Sequence, residues 1–490
     1  MMRKEITQRM EKLGLTDPAY GYVLIAAGVV FLYVSFYYFA HDFYEQFLPI
    51  PCMLFLGVLH GRKTELKNKK LLILSAAMSV WFLIVWLKQG VDAERVYNIG
   101  LFFTVYLFAF PLASLLRDGE KKNALKIFAC AYLGAAAVLT AGTVLLILDL
   151  MPEYFSWAFY WDGARLQAFW HPNMTACFLM IGVVFATAFL SDCKSTLAKA
   201  GTLVLIVMML GAMTLTNSRT TIILTGGYLG ACLFFVLIKR GKKWFVPGVL
   251  AVAIVTVTFF TVAGQLYQLN HNRLAKKYIQ QQAQMAAEYV PEETAETLHT
   301  VIEIADSEPM VPAADEPDVS NIWLPTNSGQ GTFKNDIGHL NGRTGIWEAA
   351  IRAIQDDRSI LIWGVERPGH YVSTYNYFNV AHLHNAWMET LVGMGVVGLL
   401  LAVVFTLITA WNCLMVLLKH YEDAWKRNVA LLALLLMAAS LLESYLFYTY
   451  TDYHPYNLLF FLCAGYLAHW QEAENRKIFD FLRSRFSFGK

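Results

Sequence analysis

The sequence predicts an all-α polytopic membrane protein of about twelve transmembrane helices with one long extracytoplasmic loop. Three observations predict it. Hydrophobic residues are 57% of the 490 and charged residues only 16%, with a mean hydropathy of +0.44, whereas soluble domains carry about 25% charged residues. Apolar runs long enough to cross a bilayer, roughly 20 residues each, recur along the chain. One long polar stretch, 264–385, interrupts them and ends at His384-Asn385, where a new apolar run begins.

The expected spans are 21–40, 44–60, 71–88, 97–116, 124–148, 172–190, 200–217, 220–238, 245–263, 386–416, 429–447 and 455–470. Met1–Leu15 is polar and carries Arg3, Lys4, Arg9 and Lys12. The apolar Gly21–Ala40 follows without a small-residue cleavage site, which predicts an uncleaved first helix. Spans seven and eight abut at Asn217-Ser218-Arg219, so they are expected to form a hairpin. The run 386–416 exceeds one crossing and is expected to tilt or to emerge at one end.

Lysine and arginine orient the spans. With the N-terminus inside, the cytoplasmic segments hold 27 of the 39 Lys+Arg. The outside holds 12, of which 8 lie in the long loop, where the positive-inside rule is weak. Both termini are therefore expected in the cytoplasm and the loop outside. The net charge of +2 says nothing about nucleic acid, but no compact basic cluster is interleaved with aromatics, so no nucleic-acid partner is expected. The seven cysteines lie in or beside apolar runs, none is in the loop, and no pair has C-x-x-C spacing. Buried thiols are expected, not a disulfide framework or a zinc site.

Tyr154, Phe155, Trp157, Phe159, Tyr160, Trp161, Phe169 and Trp170 crowd the connection between spans five and six. They suit an interfacial aromatic belt, or a re-entrant or amphipathic segment lining a glycan or lipid site. In the long loop, 270–287 reads as a polar helix. From Ile279 to Phe333 there is no Lys or Arg, while acidic residues and prolines are frequent. This acidic insertion is expected to be partly disordered, as a solvated insertion or as a lid or docking segment. The part at 334–385 carries the candidate chemistry. A helix is expected over Trp347–Gln355, with apolar positions at Ile346, Ala350, Ile351 and Ile354. Asp356-Asp357-Arg358-Ser359 ends it, and Ile360–Gly364 is a short apolar run with a turn glycine.

Four features invite a chemical interpretation. Gly393-x-Gly395-x-x-Gly398 matches a dinucleotide fingerprint but follows no strand, and its small residues suit close helix approach instead. Asp356-Asp357 fits either a metal pair or a helix-ending charge cluster, and no second acidic group on the expected outer face supports a metal. Arg219, between Ser218 and Thr220, sits at a helix-hairpin tip, where a charge beside apolar spans marks function or snorkels to lipid phosphates. His384, Arg165, Arg343 and Arg367 are each ordinary interfacial residues taken singly. Together on one expected face, arginine forks suit a phosphate or pyrophosphate, and a neutral histidine can accept a proton from a hydroxyl.

From Trp161 to Leu401 the chain resembles the O-antigen ligase and polymerase family. The resemblance is carried by Arg165 with Pro172-Asn173, Ser218-Arg219-Thr220, and Gly342-Arg343 before Ile346-Trp347. It continues through Trp363-Gly364 and His384-Asn385 to Glu389, Gly395 and Gly398. It implies a metal-independent glycosyltransferase of the GT-C type in a bacterial plasma membrane, with no cofactor. The implied partners are a polyprenyl-diphosphate-linked glycan donor, a glycan, lipid or wall acceptor, and membrane lipids. It implies Arg219 and Arg343 on the diphosphate, Arg165 and Asn173 as further donor-binding residues, and His384 beside the acceptor hydroxyl. Asn385 and Glu389 would orient the histidine or the acceptor. Two other classes compete with the enzyme. A transporter or flippase of the same lipid-linked sugars should carry internal repeats and midplane charges, and only Glu443 qualifies by position. An assembly scaffold would act through the acidic insertion.

Overall fold

The computed structural model describes residues 69–88, 118–155, 158–168, 172–289, 343–365, 368–374, 382–441, 459–461 and 463–468. The expected spans 21–40, 44–60 and 97–116 lie outside them. So do Arg367, Glu443, Trp157, Phe169, Trp170 and the acidic insertion beyond Tyr289.

The described chain is mostly helical: α1 (Lys69–Lys88), α2 (Asp118–Ile147), α3 (Pro172–Asp192), α4 (Thr196–Leu215), α5 (Arg219–Ile238), α6 (Phe245–Tyr289), α7 (Arg343–Asp356), α8 (Ile360–Trp363), α9 (Pro368–Ser373), α10 (Ala386–His420) and α11 (Ala424–Ala439). Among the described residues, five helices are long and apolar enough to cross a membrane: α3, α4, α5, α6 as far as Gln282, and α10. Shorter apolar helices run over Ala76–Val85, Tyr132–Ile147 and Leu459–Ala468. The protein is a multi-pass membrane protein.

An antiparallel hairpin departs from the all-α expectation. It consists of β1 (Phe159–Asp162) and β2 (Arg165–Ala168), with Asp162 opposite Arg165. Its turn is Gly163-Ala164, and Gly163 takes φ 62°, which a two-residue hairpin turn requires of one central residue. Phe159 is buried where Gly142 of α2 leaves room: a Cβ at Gly142 would collide with its ring.

The chain divides into two compact units. The first holds the described residues of Met1–Ala137, Ile181–Ile206 and Ile337–Lys490, and the second those of Val138–Met180 and Val207–Asp336. In the second unit, α4 and α5 are joined by a tight tip. Asn217 takes φ 52° there, a left-handed conformation that asparagine tolerates better than most residues. Helices α5 and α6 pack backbone against backbone. A Cβ at Gly226 would lie 2.9 Å from Thr256 Cα, and one at Gly230 would lie 2.6 Å from Val252 Cα. Two glycines four residues apart thus open one groove along α5, as in small-x-x-x-small packing. Helix α6 continues as one helix of 45 residues through the polar segment 270–287.

In the first unit α10 is broken at Gly395 (φ 67°, ψ −174°). The one-turn helix α8 fits against the break. A Cβ at Gly395 would lie 2.5 Å from the Ile362 carbonyl oxygen, and one at Gly364 (φ 68°) would collide with the Gly393 carbonyl. A break strands carbonyls of the preceding turn. Two of them are taken up: Val365 N–H donates to Val392 O at 2.8 Å, and the Trp81 indole donates to Met394 O at 2.9 Å. Trp81 also stacks on Trp363, with centroids 6.1 Å apart. The glycines at 393–398 therefore allow close approach, but to a short inserted turn and at a kink.

Candidate active site

Within the first unit, the expected site residues gather at the start of α10. His384 has φ 51°. A non-glycine residue in the left-handed region is uncommon and persists only where its surroundings hold it. Those surroundings are explicit. Asn385 is the N-cap of α10, and its Oδ1 accepts the Trp387 and Met388 N–H groups at 2.9 and 3.0 Å. Its Nδ2 donates to Leu441 O at 3.0 Å, and Ala386 N–H donates to Ser440 O at 3.0 Å. On the other side of His384, Leu383 is pinned twice. Its N–H donates to Glu389 Oε2 at 2.7 Å, and its carbonyl accepts from the Trp347 indole at 2.8 Å. Glu389 is fully buried. Asn385 and Glu389 thus hold the backbone on both sides of His384.

Arg343 is the first residue of α7 and half-buried. It lies one turn before Trp347, and residues four apart share a helix face. The Trp347–Leu383 bond ties α7, one turn after Arg343, to the residue before His384. Helix α7 is longer at its start than the sequence suggests, and its buried face holds the expected Ile346 and Ala350, with Ile354 packed beside them, but not Ile351. Ile346, Ala349, Ala350 and Ala353 are buried while Ile351 is 49% exposed. The spacing i, i+3, i+4, i+7 from Ile346 selects the alanines. At its end, the Ser359 hydroxyl and its N–H, the latter at 2.9 Å, donate to the Asp357 carboxylate and hold it below its usual range. Asp357 therefore serves the turn that closes the helix. Among the described residues no group of three or more His, Cys, Asp or Glu is arranged to hold a metal.

Within the second unit, three expected residues gather at the α4–α5 tip. Arg165 Nε donates to Thr216 O at 2.9 Å, and its Nη2 donates to Asn173 Oδ1 at 2.9 Å. Its fork is thus fixed between the hairpin, the tip and the first turn of α3. Arg219 begins α5 behind the Ser218 cap, whose hydroxyl pairs with that of Thr221 at 3.0 Å. A fourth member was missed in the sequence. Tyr267 of α6 is 5% exposed and packs with Ala164, the hairpin-turn residue beside Arg165; the charges of Arg165 and Arg219 reach its hydroxyl. Its signal was present: Ala263, Tyr267, His271 and Ala275 recur every fourth residue, beyond the end of the apolar run. The hairpin is tied to α6 as well. Asn270 Nδ2 donates to Ala164 O at 3.4 Å, and Arg273 lies 6.0 Å from the Trp161 ring.

The first unit thus offers a histidine on a strained, braced backbone. The second offers two guanidinium groups, that of Arg165 fixed by hydrogen bonds, and a buried phenol. The former suits proton transfer and the latter suits an anionic oxygen cluster.

No curated protein matches the chain. The family model of the O-antigen ligase matches residues 204–403, a segment that includes Arg219, Arg343, His384, Asn385 and Glu389 but neither Arg165 nor Asn173. The match covers about two fifths of the chain; it supports an assignment to the O-antigen ligase/polymerase family and suggests a glycosyl-transfer or ligation role in surface polysaccharide synthesis.

Proposed function

We propose that the protein transfers an oligosaccharide from a polyprenyl diphosphate to a glycan, lipid or wall acceptor at the outer face of a bacterial plasma membrane. Twelve spans in a GT-C-like arrangement, cytoplasmic termini and an extracytoplasmic segment 264–385 complete the proposal. The observation that carries it is the braced His384 at the mouth of α10, inside the segment that matches the family.

The chemistry needs two services. The acceptor oxygen forms a new bond to the anomeric carbon while the bond from that carbon to the diphosphate oxygen breaks. The electron pair of the broken bond leaves on the diphosphate, and the acceptor proton passes to the His384 imidazole. Arg219 and Arg343 neutralise the leaving diphosphate, with Arg165 and Asn173 as further donor-binding groups. Guanidinium groups fixed before the reaction stabilise such charge without reorganising. Asn385 and Glu389 fix the histidine. Because these cationic side chains serve the leaving group, transfer requires no metal.

The test is transfer by the purified protein in detergent, with a polyprenyl-diphosphate oligosaccharide and a matching acceptor, with and without EDTA. A transferred or lengthened glycan, insensitive to EDTA and lost in His384→Ala, is expected. Wild-type product yield from a folded His384→Ala variant would sink the assignment. Product length then separates a polymerase, which yields a ladder, from a ligase, which yields one transfer.

A further inference from the structure

The second unit holds a group that the proposed reaction does not use. His271 of α6 is 6% exposed, and its Nδ1 is buried without a hydrogen-bond partner. Buried polar side-chain atoms are in the large majority paired, so the atom calls for an explanation.

Its position supplies one. Ala263, Tyr267, His271 and Ala275 are all buried, at 0%, 5%, 6% and 0% exposure, and residues four apart stack along one helix face. One turn before His271 is Tyr267, buried against Ala164 and reached by the charges of Arg165 and Arg219. One turn after it is Ala275, which shares a buried cluster with Tyr267 and Ala164. Ala164 is the hairpin-turn residue next to Arg165, and the neighbouring Asn270 donates to its carbonyl. His271 is therefore enclosed on the face of α6 that meets the arginine-bearing hairpin. A histidine kept only to fill that face would be served better by leucine, which carries no polar atom to bury.

We propose that His271 is a further donor-binding residue, whose Nδ1–H donates to an oxygen of the diphosphate engaged by Arg165 and Arg219. The proposal rests on the diphosphate role given to those arginines above. A donor to a charged oxygen is stronger than one to a neutral oxygen, and it fixes orientation as well as charge.

The test compares wild type, His271→Leu, His271→Asn and Arg219→Ala in detergent, with farnesyl diphosphate and inorganic pyrophosphate as binding probes. His271→Leu is expected to weaken farnesyl diphosphate binding about tenfold and to raise the donor KM by the same factor, with kcat changed less. Its melting temperature should equal or exceed wild type. His271→Asn should recover most of the affinity, because its amide N–H lies near the position of the imidazole Nδ1. Wild-type affinity in a folded His271→Leu protein, beside weakened binding in Arg219→Ala, overturns the proposal and leaves the diphosphate reading standing. Wild-type affinity in both variants overturns the diphosphate reading itself. If His271→Leu melts lower, His271→Asn decides. Recovered affinity supports the proposal, and weak binding at a wild-type melting temperature overturns it.

Discussion

The corner around His384 and the tip around Arg219 prepare for chemistry in different ways. At His384 the backbone is strained (φ 51°) and held by Asn385 on one side and by Glu389 and Trp347 on the other. At the tip, where Asn217 also takes φ 52°, a side chain is held as well: Arg165 by the Thr216 carbonyl and Asn173. A proton acceptor has to sit at one angle and one distance, so geometry is what must be fixed. A leaving group with several charged oxygens needs charge in place, so fixed forks suffice. Loss of a group at the first corner should therefore act on kcat, and loss at the second chiefly on donor binding.

The sharpest way to break that contrast is to remove its principal side chains. His384→Ala should lower transfer by about 10²–10⁴, and Arg219→Ala by about 10²–10³, both read as initial rates at saturating acceptor. Next, Glu389→Ala deletes the acceptor for Leu383 N–H and loosens the histidine. A misplacement of about 1 Å can cost around 10² in rate, so kcat should fall by up to about that factor while donor affinity holds. A parallel fall in donor affinity would merge the two regions into one role. Smaller again, Arg165→Lys cannot serve Thr216 and Asn173 with one fork. It should weaken donor binding about ten- to a hundredfold, in line with one lost hydrogen bond to a charged group, about 1.5–3 kcal/mol. Smallest on activity is Gly230→Ala, which forces a methyl group onto Val252 Cα and tests packing alone. It should lower stability by about 1–3 kcal/mol, seen as a lower melting temperature, with kcat unchanged in the protein that folds.

Much of this was legible in the chain. Apolar length marked α3, α4, α5 and α10, and their abutting ends marked the tip that carries Arg219. The polar-to-apolar switch marked the corner at His384. The misses have physical reasons. The aromatic run at 159–161 satisfies an interfacial belt and a strand equally, and the hairpin signal lay in Gly163-Ala164, a glycine-led turn pair flanked by strand residues. The end of α6 could not be read from apolarity, because the same helix continues through residues with good helix propensity and poor hydrophobicity. Tyr267 was hidden for that reason, since its buried stripe begins where the apolar run ends. At Gly395 the sequence suggested close packing, whereas the structure has a helix break filled by α8. Composition marks a small residue but not the sign of its φ.

The most direct test of the split between the two regions measures two quantities on the same three proteins. Wild type, Arg219→Ala and His384→Ala are reconstituted in detergent, and both the equilibrium affinity for a polyprenyl-diphosphate oligosaccharide and its transfer to acceptor are determined. The account predicts that both variants lose transfer, that Arg219→Ala also binds the donor more weakly, and that His384→Ala binds it like wild type. Donor affinity lost in His384→Ala, or kept in Arg219→Ala, would contradict it.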